Sequence, residues 1–137
     1  MLNGERCVDC HACEVACASA HNLEPGIKPI KVAQQWSGKF PEVRISFSTI
    51  VCLQCESPAC REACPAEAIT KRVEDGVVVV DADKCNGCQA CLAACSYGVP
   101  QFSSDGMMQK CDLCTGLGRE PACVDSCMTD ALHIQEK

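Results

Sequence analysis

The 137-residue chain carries 18 acidic and 12 basic side chains, a formal charge of −6. That balance excludes nucleic acid and anionic membrane surfaces as natural partners and suits docking onto a basic patch. No apolar run approaches the roughly 20 residues that span a bilayer, and residues 1–6 hold neither a signal-type apolar stretch nor a twin arginine. Synthesis in the cytoplasm follows as the expectation, with periplasmic export alongside a signal-bearing partner as the alternative.

Sixteen cysteines fall into four groups of four that punctuate the chain. Group one is Cys7, Cys10, Cys13 and Cys17. The Ala-rich stretch over residues 14–22 predicts a helix, stopped by Asn22, Pro25 and Gly26. An insertion over residues 23–50 follows. Within it, residues 27–32 and 43–50 predict strands. In the second, Val43, Ile45 and Phe47 alternate with Arg44 and Ser46, the pattern of a half-buried strand. Trp36, Ser37 and Gly38 between them predict a loop. Group two is Cys52, Cys55, Cys60 and Cys64, after which residues 68–81 predict a hairpin turning at Asp75-Gly76. Group three is Cys85, Cys88, Cys91 and Cys95, with a short helix over residues 92–96 ending near Gly98. Asp105 and Gly106 mark a return connection. Group four is Cys111, Cys114, Cys123 and Cys127, with a helix over residues 122–128 and a last strand over residues 131–135.

Every group opens C-x2-C and closes C-x3-C, and groups one and three share the full run C-x2-C-x2-C-x3-C. Disulfide scaffolds reach this cysteine density in small secreted chains, but cysteines at i, i+3 and i+6 are poorly placed to pair. Zinc joins two C-x2-C pairs across a longer spacer. Group four alone has that form; groups one and three crowd three ligands into seven residues. Redox or catalytic thiol chemistry needs only one or two cysteines. The run is the bacterial ferredoxin spacing, in which three thiolates take one cubane and the fourth serves the other cluster of a pair. Sixteen thiolates are enough for four [4Fe–4S] clusters with none left over. Much of the interior is then inorganic, so the iron-free chain is expected not to fold. Spacing leaves open which group crosses with which.

The first cysteines of successive groups lie 45, 33 and 26 residues apart, so the chain repeats a loop–helix–strand unit, with the insertion in the first interval. The expected fold class is α+β: two ferredoxin-like units in a pseudo-two-fold repeat, with short helices and small antiparallel sheets around the clusters. Residues 50–102, with groups two and three, form an inner unit. Residues 1–49 and 103–137, with groups one and four and the insertion, form an outer one.

The motifs CVDCHACEVAC (residues 7–17), CLQCESPACREACP (52–65), CNGCQACLAAC with Tyr97-Gly98 (85–98), and CDLC followed by Pro121-Ala122-Cys123 give the chain a resemblance along its whole length. It resembles the four-cluster iron–sulfur subunit of dimethyl-sulfoxide-reductase-type enzymes, and is similar to subunits of formate dehydrogenases, hydrogenase-linked ferredoxins and tungsten aldehyde oxidoreductases. The resemblance implies that group one pairs with group four and group two with group three. One cluster then takes Cys7, Cys10, Cys13 and Cys127, and a second Cys111, Cys114, Cys123 and Cys17. A third takes Cys52, Cys55, Cys60 and Cys95, and the fourth Cys85, Cys88, Cys91 and Cys64. Relatives that replace a group-three cysteine hold a different cluster; Cys88 and its neighbours are all present here. Proline follows the last cysteine only at Pro65; Ala18, Ser96 and Met128 stand in the other groups. The short stretch before Cys7 implies a truncated first strand.

Arg6, Lys84 and Lys110 each precede a first cysteine, where they either compensate cluster charge or are solvated. His11 reads as an exposed loop residue, and His21 and His133 as structural. Tyr97 and Phe102 either shield a cluster or simply pack. Trp36 is an interface anchor if exposed. Met107, Met108 and Met128 read as packing. The chain has no nucleotide-binding glycine pattern and no nucleophile–base pair, so it is expected to be a non-catalytic electron-transfer subunit. The resemblance implies a catalytic partner carrying a molybdenum or tungsten pterin, with a further electron-transfer subunit or ferredoxin on the other side. The alternatives are a free polyferredoxin carrier and, more distantly, a zinc-held interaction module.

Overall fold

The structure is a computed structural model and describes residues 2–134. In chain order it comprises α1 (Ala12–Ala20), β1 (Ile30–Ser37), β2 (Arg44–Val51), α2 (Ala59–Glu62), β3 (Ile69–Lys71), β4 (Val78–Val80), α3 (Ala90–Ala94), β5 (Gln101–Phe102), β6 (Met108–Gln109), a single 3-10 turn at Thr115–Leu117, and α4 (Ala122–Asp125). The strands form three two-stranded antiparallel sheets: β1–β2, β3–β4 and β5–β6. This is an α+β arrangement of short helices and small sheets. The β5–β6 pair brackets the return turn at Asp105 and Gly106. It was not expected, because two-residue strands leave no periodicity to read.

The insertion is a long hairpin in which Trp36 stands opposite Ile45. Trp36 and Ser37 therefore extend β1 and do not form the expected loop. The turn begins instead at Gly38, whose φ of +87° and approach to the Glu42 carbonyl leave no room for a Cβ. The half-buried pattern holds only at the base. Ile30 is buried and Val32 is half-buried, but Ile45 is 46% and Trp36 65% exposed. The expected last strand is reduced among the described residues to one antiparallel bridge, Leu132 to Leu2; residue 135 lies outside them.

One acid fixes the angle between helix and hairpin. Glu14, on α1, is only 4% exposed. Its carboxylate accepts from Lys28 Nζ at 2.6 Å and from the Val32 N–H at 2.8 Å, and His11 Nδ1 lies 3.1 Å away. Burial pushes this carboxyl up, but the Lys28 ammonium, the Val32 N–H and the His11 ring together hold it below its ordinary value. A carboxyl depressed in the folded state adds stability above its unfolded value, and that share is lost as pH falls through the folded one. Glu14→Ala leaves the Val32 donor unpaired, an expected cost of about 2 kcal/mol. The measurement is the melting temperature of the cluster-loaded protein at neutral pH. Glu14→Gln, which can still accept from Val32, should recover part of the loss; equal melting of all three proteins would refute the assignment.

Two small cores hold the fold together. In one, Cys13, Cys17, Ile30 and Leu132 are buried, with Cys123, Val124 and Cys127 packed against them. In the other, Ile69, Val78, Cys91 and Met108 are buried, with Cys60, Cys64, Cys85 and Phe102 against them. The first joins cysteine groups one and four, and the second joins groups two and three. Of the methionines, Met108 is core, whereas Met128 is 83% exposed and packs against little.

Candidate metal centres

A backbone device recurs in all four groups. The residue before each second cysteine has positive φ: Asp9 (56°), Gln54 (49°), Gly87 (71°) and Leu113 (56°). The third residue after the last cysteine is also left-handed in three groups: Glu67, Gly98 and Asp130. Non-glycine residues rarely adopt this conformation. Alternating right- and left-handed residues turn successive N–H groups inward into an anion-binding concavity, as at phosphate and iron–sulfur sites. Gly87 has a further reason to be glycine, since a Cβ there would lie 2.7 Å from the Gly106 carbonyl oxygen.

The thiols converge from distant parts of the sequence. Burial pushes the Cys17 thiol up to about 12, and the nearby Cys111, Cys123 and Cys114 push the same way. Burial likewise raises Cys60, to which Cys52 and Cys95 add, and Cys91, to which Cys88 and Cys64 add. Burial takes Cys13 and Cys111 each to about 11. One cavity wall carries Cys64, Cys85, Cys88 and Cys91 together with Phe102 and Met108. Phe102 therefore lines a thiol cavity, whereas Tyr97 is exposed. Cys127 runs the other way. Burial pushes it up, but the N–H groups of Leu132 and Ala131 and the Thr129 hydroxyl hold it below its ordinary value.

Thiols buried in like-charged company are protonated unless a cation joins them. A site built of converging soft sulfur donors, on loops in which a left-handed residue recurs, fits iron–sulfur ligation. The fit rests on the donor chemistry and on the left-handed turns.

The group-two loop and the start of group four meet at a seam that sequence reasoning missed. Gln54, inside the group-two loop, is buried; its Nε2 donates to the Cys111 carbonyl at 2.8 Å and its Oε1 accepts from the Val78 N–H at 2.8 Å. Lys110 Nζ donates to the Val78 carbonyl and, at 2.8 Å, to that of Cys111. Its charge favours the thiolates of both Cys60 and Cys111. Lys110 thus compensates thiolate charge. Arg6 and Lys84 instead form exposed ion pairs with Asp130 and Asp81, which are worth little. A glutamine between two cysteines carries no signal that it will bridge to a carbonyl 57 residues away. His11 spans Asp9 and Glu14. His21, read as structural, lies against Cys114 Sγ.

A fold of paired thiol cores, with sulfur donors in fours, defines an iron–sulfur protein. Residues 43–137 match the family described as a 4Fe-4S dicluster domain. The protein belongs to this 4Fe-4S dicluster family. It is 39% identical to the B subunit of the anaerobic dimethyl sulfoxide reductase of Escherichia coli (strain K12), over 97% of its own length and 70% of that protein. It is 35% identical to the formate dehydrogenase iron-sulfur subunit of Wolinella succinogenes, over 93% of its own length and 75% of that one. It is 40% identical to the perchlorate reductase subunit beta of Dechloromonas aromatica, over 73% of its own length and 31% of that one. The resemblance drawn from the motifs therefore holds: the chain is an electron-transfer protein of the iron–sulfur subunit type. Among the described residues, no helix is long and apolar enough to cross a membrane.

Proposed function

We propose that the chain relays electrons through four [4Fe–4S] clusters, in two ferredoxin-like units, between a catalytic molybdenum or tungsten pterin subunit and a second redox partner. The observation that carries this reading is the convergence of Cys17 with Cys111, Cys123 and Cys114, of Cys60 with Cys52 and Cys95, and of Cys91 with Cys88 and Cys64. The first is the full triple-plus-one grouping that crossed ligation requires, and the other two each join two cysteines of one group to the last cysteine of the other. The proposed sets are Cys7, Cys10, Cys13 and Cys127; Cys111, Cys114, Cys123 and Cys17; Cys52, Cys55, Cys60 and Cys95; and Cys85, Cys88, Cys91 and Cys64. When bound, the clusters supply one-electron oxidation and reduction. The protein's part is to hold them in a row and to set the charge around them. Proximity of Cys52 to Cys111 supports continuity across the seam, where Gln54 and Lys110 lock one unit to the other. Residues 50–102 make one unit; residues 1–49 and 103–137 make the other.

The chain is read as non-catalytic, with the substrate chemistry on the partner, as the names of its relatives suggest. The hairpin favours a subunit over a free carrier. Its outer half holds Trp36, 65% exposed, and Phe40, 92% exposed, beside Lys39 and Arg44 in a chain of net charge −6. Exposed aromatics of this kind mark a covered surface in an assembly, and a soluble carrier has no use for them. Assembly in the cytoplasm completes the reading.

Anaerobic isolation tests it. The expected result is a brown protein with about sixteen irons and as many acid-labile sulfides per chain, held in a stable complex with a pterin-bearing subunit. A colourless, zinc-rich preparation would sink the proposal. A full iron complement on a chain that purifies alone would favour the polyferredoxin reading instead.

A further inference from the structure

We infer that His21 donates a hydrogen bond to the Cys114 sulfur and thereby raises the reduction potential of the one cluster proposed to be held by Cys111, Cys114, Cys123 and Cys17. The inference rests on the proposed ligand set and adds to it a residue that is not a ligand. His21 Nε2 lies 3.4 Å from Cys114 Sγ, a normal distance for an N–H···S contact. The same nitrogen lies 3.6 Å from Asp112 Oδ1. With a cluster bound to Cys114, both groups facing it, a ligand sulfur and a carboxylate, are acceptors, so the hydrogen bond requires the proton on the nitrogen between them.

The placement follows from the helix. His21 closes α1, its N–H bonded to the Cys17 carbonyl at 3.2 Å. It stands four residues after Cys17, and residues i and i+4 share a helix face. The turn that directs Cys17 toward group four thus directs the imidazole there as well. Asp112 is fixed in turn by accepting the Cys114 N–H at 2.9 Å, so the acceptor pair is built into the group-four loop. The imidazole is partly buried, its side chain 24% exposed, which limits competition from water.

The direction of the effect follows from charge. A hydrogen bond to a ligand sulfur draws off negative charge, and it does so more in the reduced, more negative state than in the oxidised one. It therefore stabilises the reduced state and raises the potential. His11, by contrast, is held by Asp9 and Glu14 at the first turn of α1 and takes no part in this contact.

The test is a redox titration of the holoprotein monitored by electron paramagnetic resonance, with iron and sulfide counted first. If the count is not about sixteen irons, the ligand reading has failed, and this inference with it for a separate reason. With full occupancy, His21→Ala should move one midpoint to lower potential and leave the other three in place. His21→Gln, which keeps an N–H donor, should restore part of the shift. Four unmoved midpoints at full iron would overturn the inference. Should His21→Ala fail to assemble, protein that retains His21, labelled with 15N-histidine and with His11 and His133 replaced by glutamine, decides the matter. A 15N coupling to one reduced cluster supports the bond, and its absence refutes it.

Discussion

Anaerobic chelation of iron should unfold this chain, with far-ultraviolet circular dichroism collapsing toward that of a disordered polypeptide as the iron leaves. The reason lies in what the two cores contain. Cys13 and Cys17 are half of the four buried residues of one core, and three of the partly buried residues around the other are cysteines. Among the described residues, Val78 is the only large side chain that is fully buried. The helices α2, α3 and α4 are four or five residues long, far below the roughly 12 residues at which an isolated helix becomes even marginal. Burial pushes Cys13 and Cys111 to about 11 and Cys17 to about 12, so in an iron-free fold these thiols are neutral and contribute only as small apolar side chains. Metal binding in such a protein is folding free energy. A native-like spectrum and a cooperative melt after complete iron removal would show that the polypeptide core suffices alone.

Substitution of Cys17 should remove a cluster that its own motif does not build. Cys17 belongs to group one by sequence, yet its thiol neighbours are Cys111, Cys123 and Cys114. Cys17→Ser should lower the iron content from about sixteen to about twelve per chain and abolish the same paramagnetic signal as Cys114→Ser. Under the proposed ligation the two residues serve one cluster, so the double variant should lose no more iron than either single one. Cys17→Ser combined with Cys10→Ser should instead leave about eight irons, since two clusters are then broken. Non-additivity of this kind identifies members of one unit. The opposite pattern, with Cys10 and Cys17 behaving as one unit and Cys17 and Cys114 as two, would eliminate crossed ligation.

The local elements were legible where chemistry or periodicity is local. The helix after Cys10 and the β3–β4 hairpin formed near where their residues placed them, and the C-x2-C-x2-C runs fold into loops whose left-handed residue recurs at Asp9 and Gly87. The outer hairpin was less legible. The alternation of Val43, Ile45 and Phe47 signals a strand, but not that Val43 and Ile45 leave the core and stand in solvent while Phe47 stays half-buried, because periodicity records a face without saying what covers it. The two-residue strands β5 and β6 carry too few residues for any period to register.

The cysteine count, the C-x2-C and C-x3-C spacing and the acidic charge determined by themselves that this is an iron–sulfur electron-transfer protein, because a cubane's three nearest ligands are set by the reach of one short loop. That Gln54 and Lys110 tie Val78 to Cys111, and that His21 meets Cys114 93 residues away, were decided only by tertiary structure. Those contacts join segments far apart in the sequence, and nothing in the spacing of either segment fixes their distance until the whole molecule has closed around the shared cores.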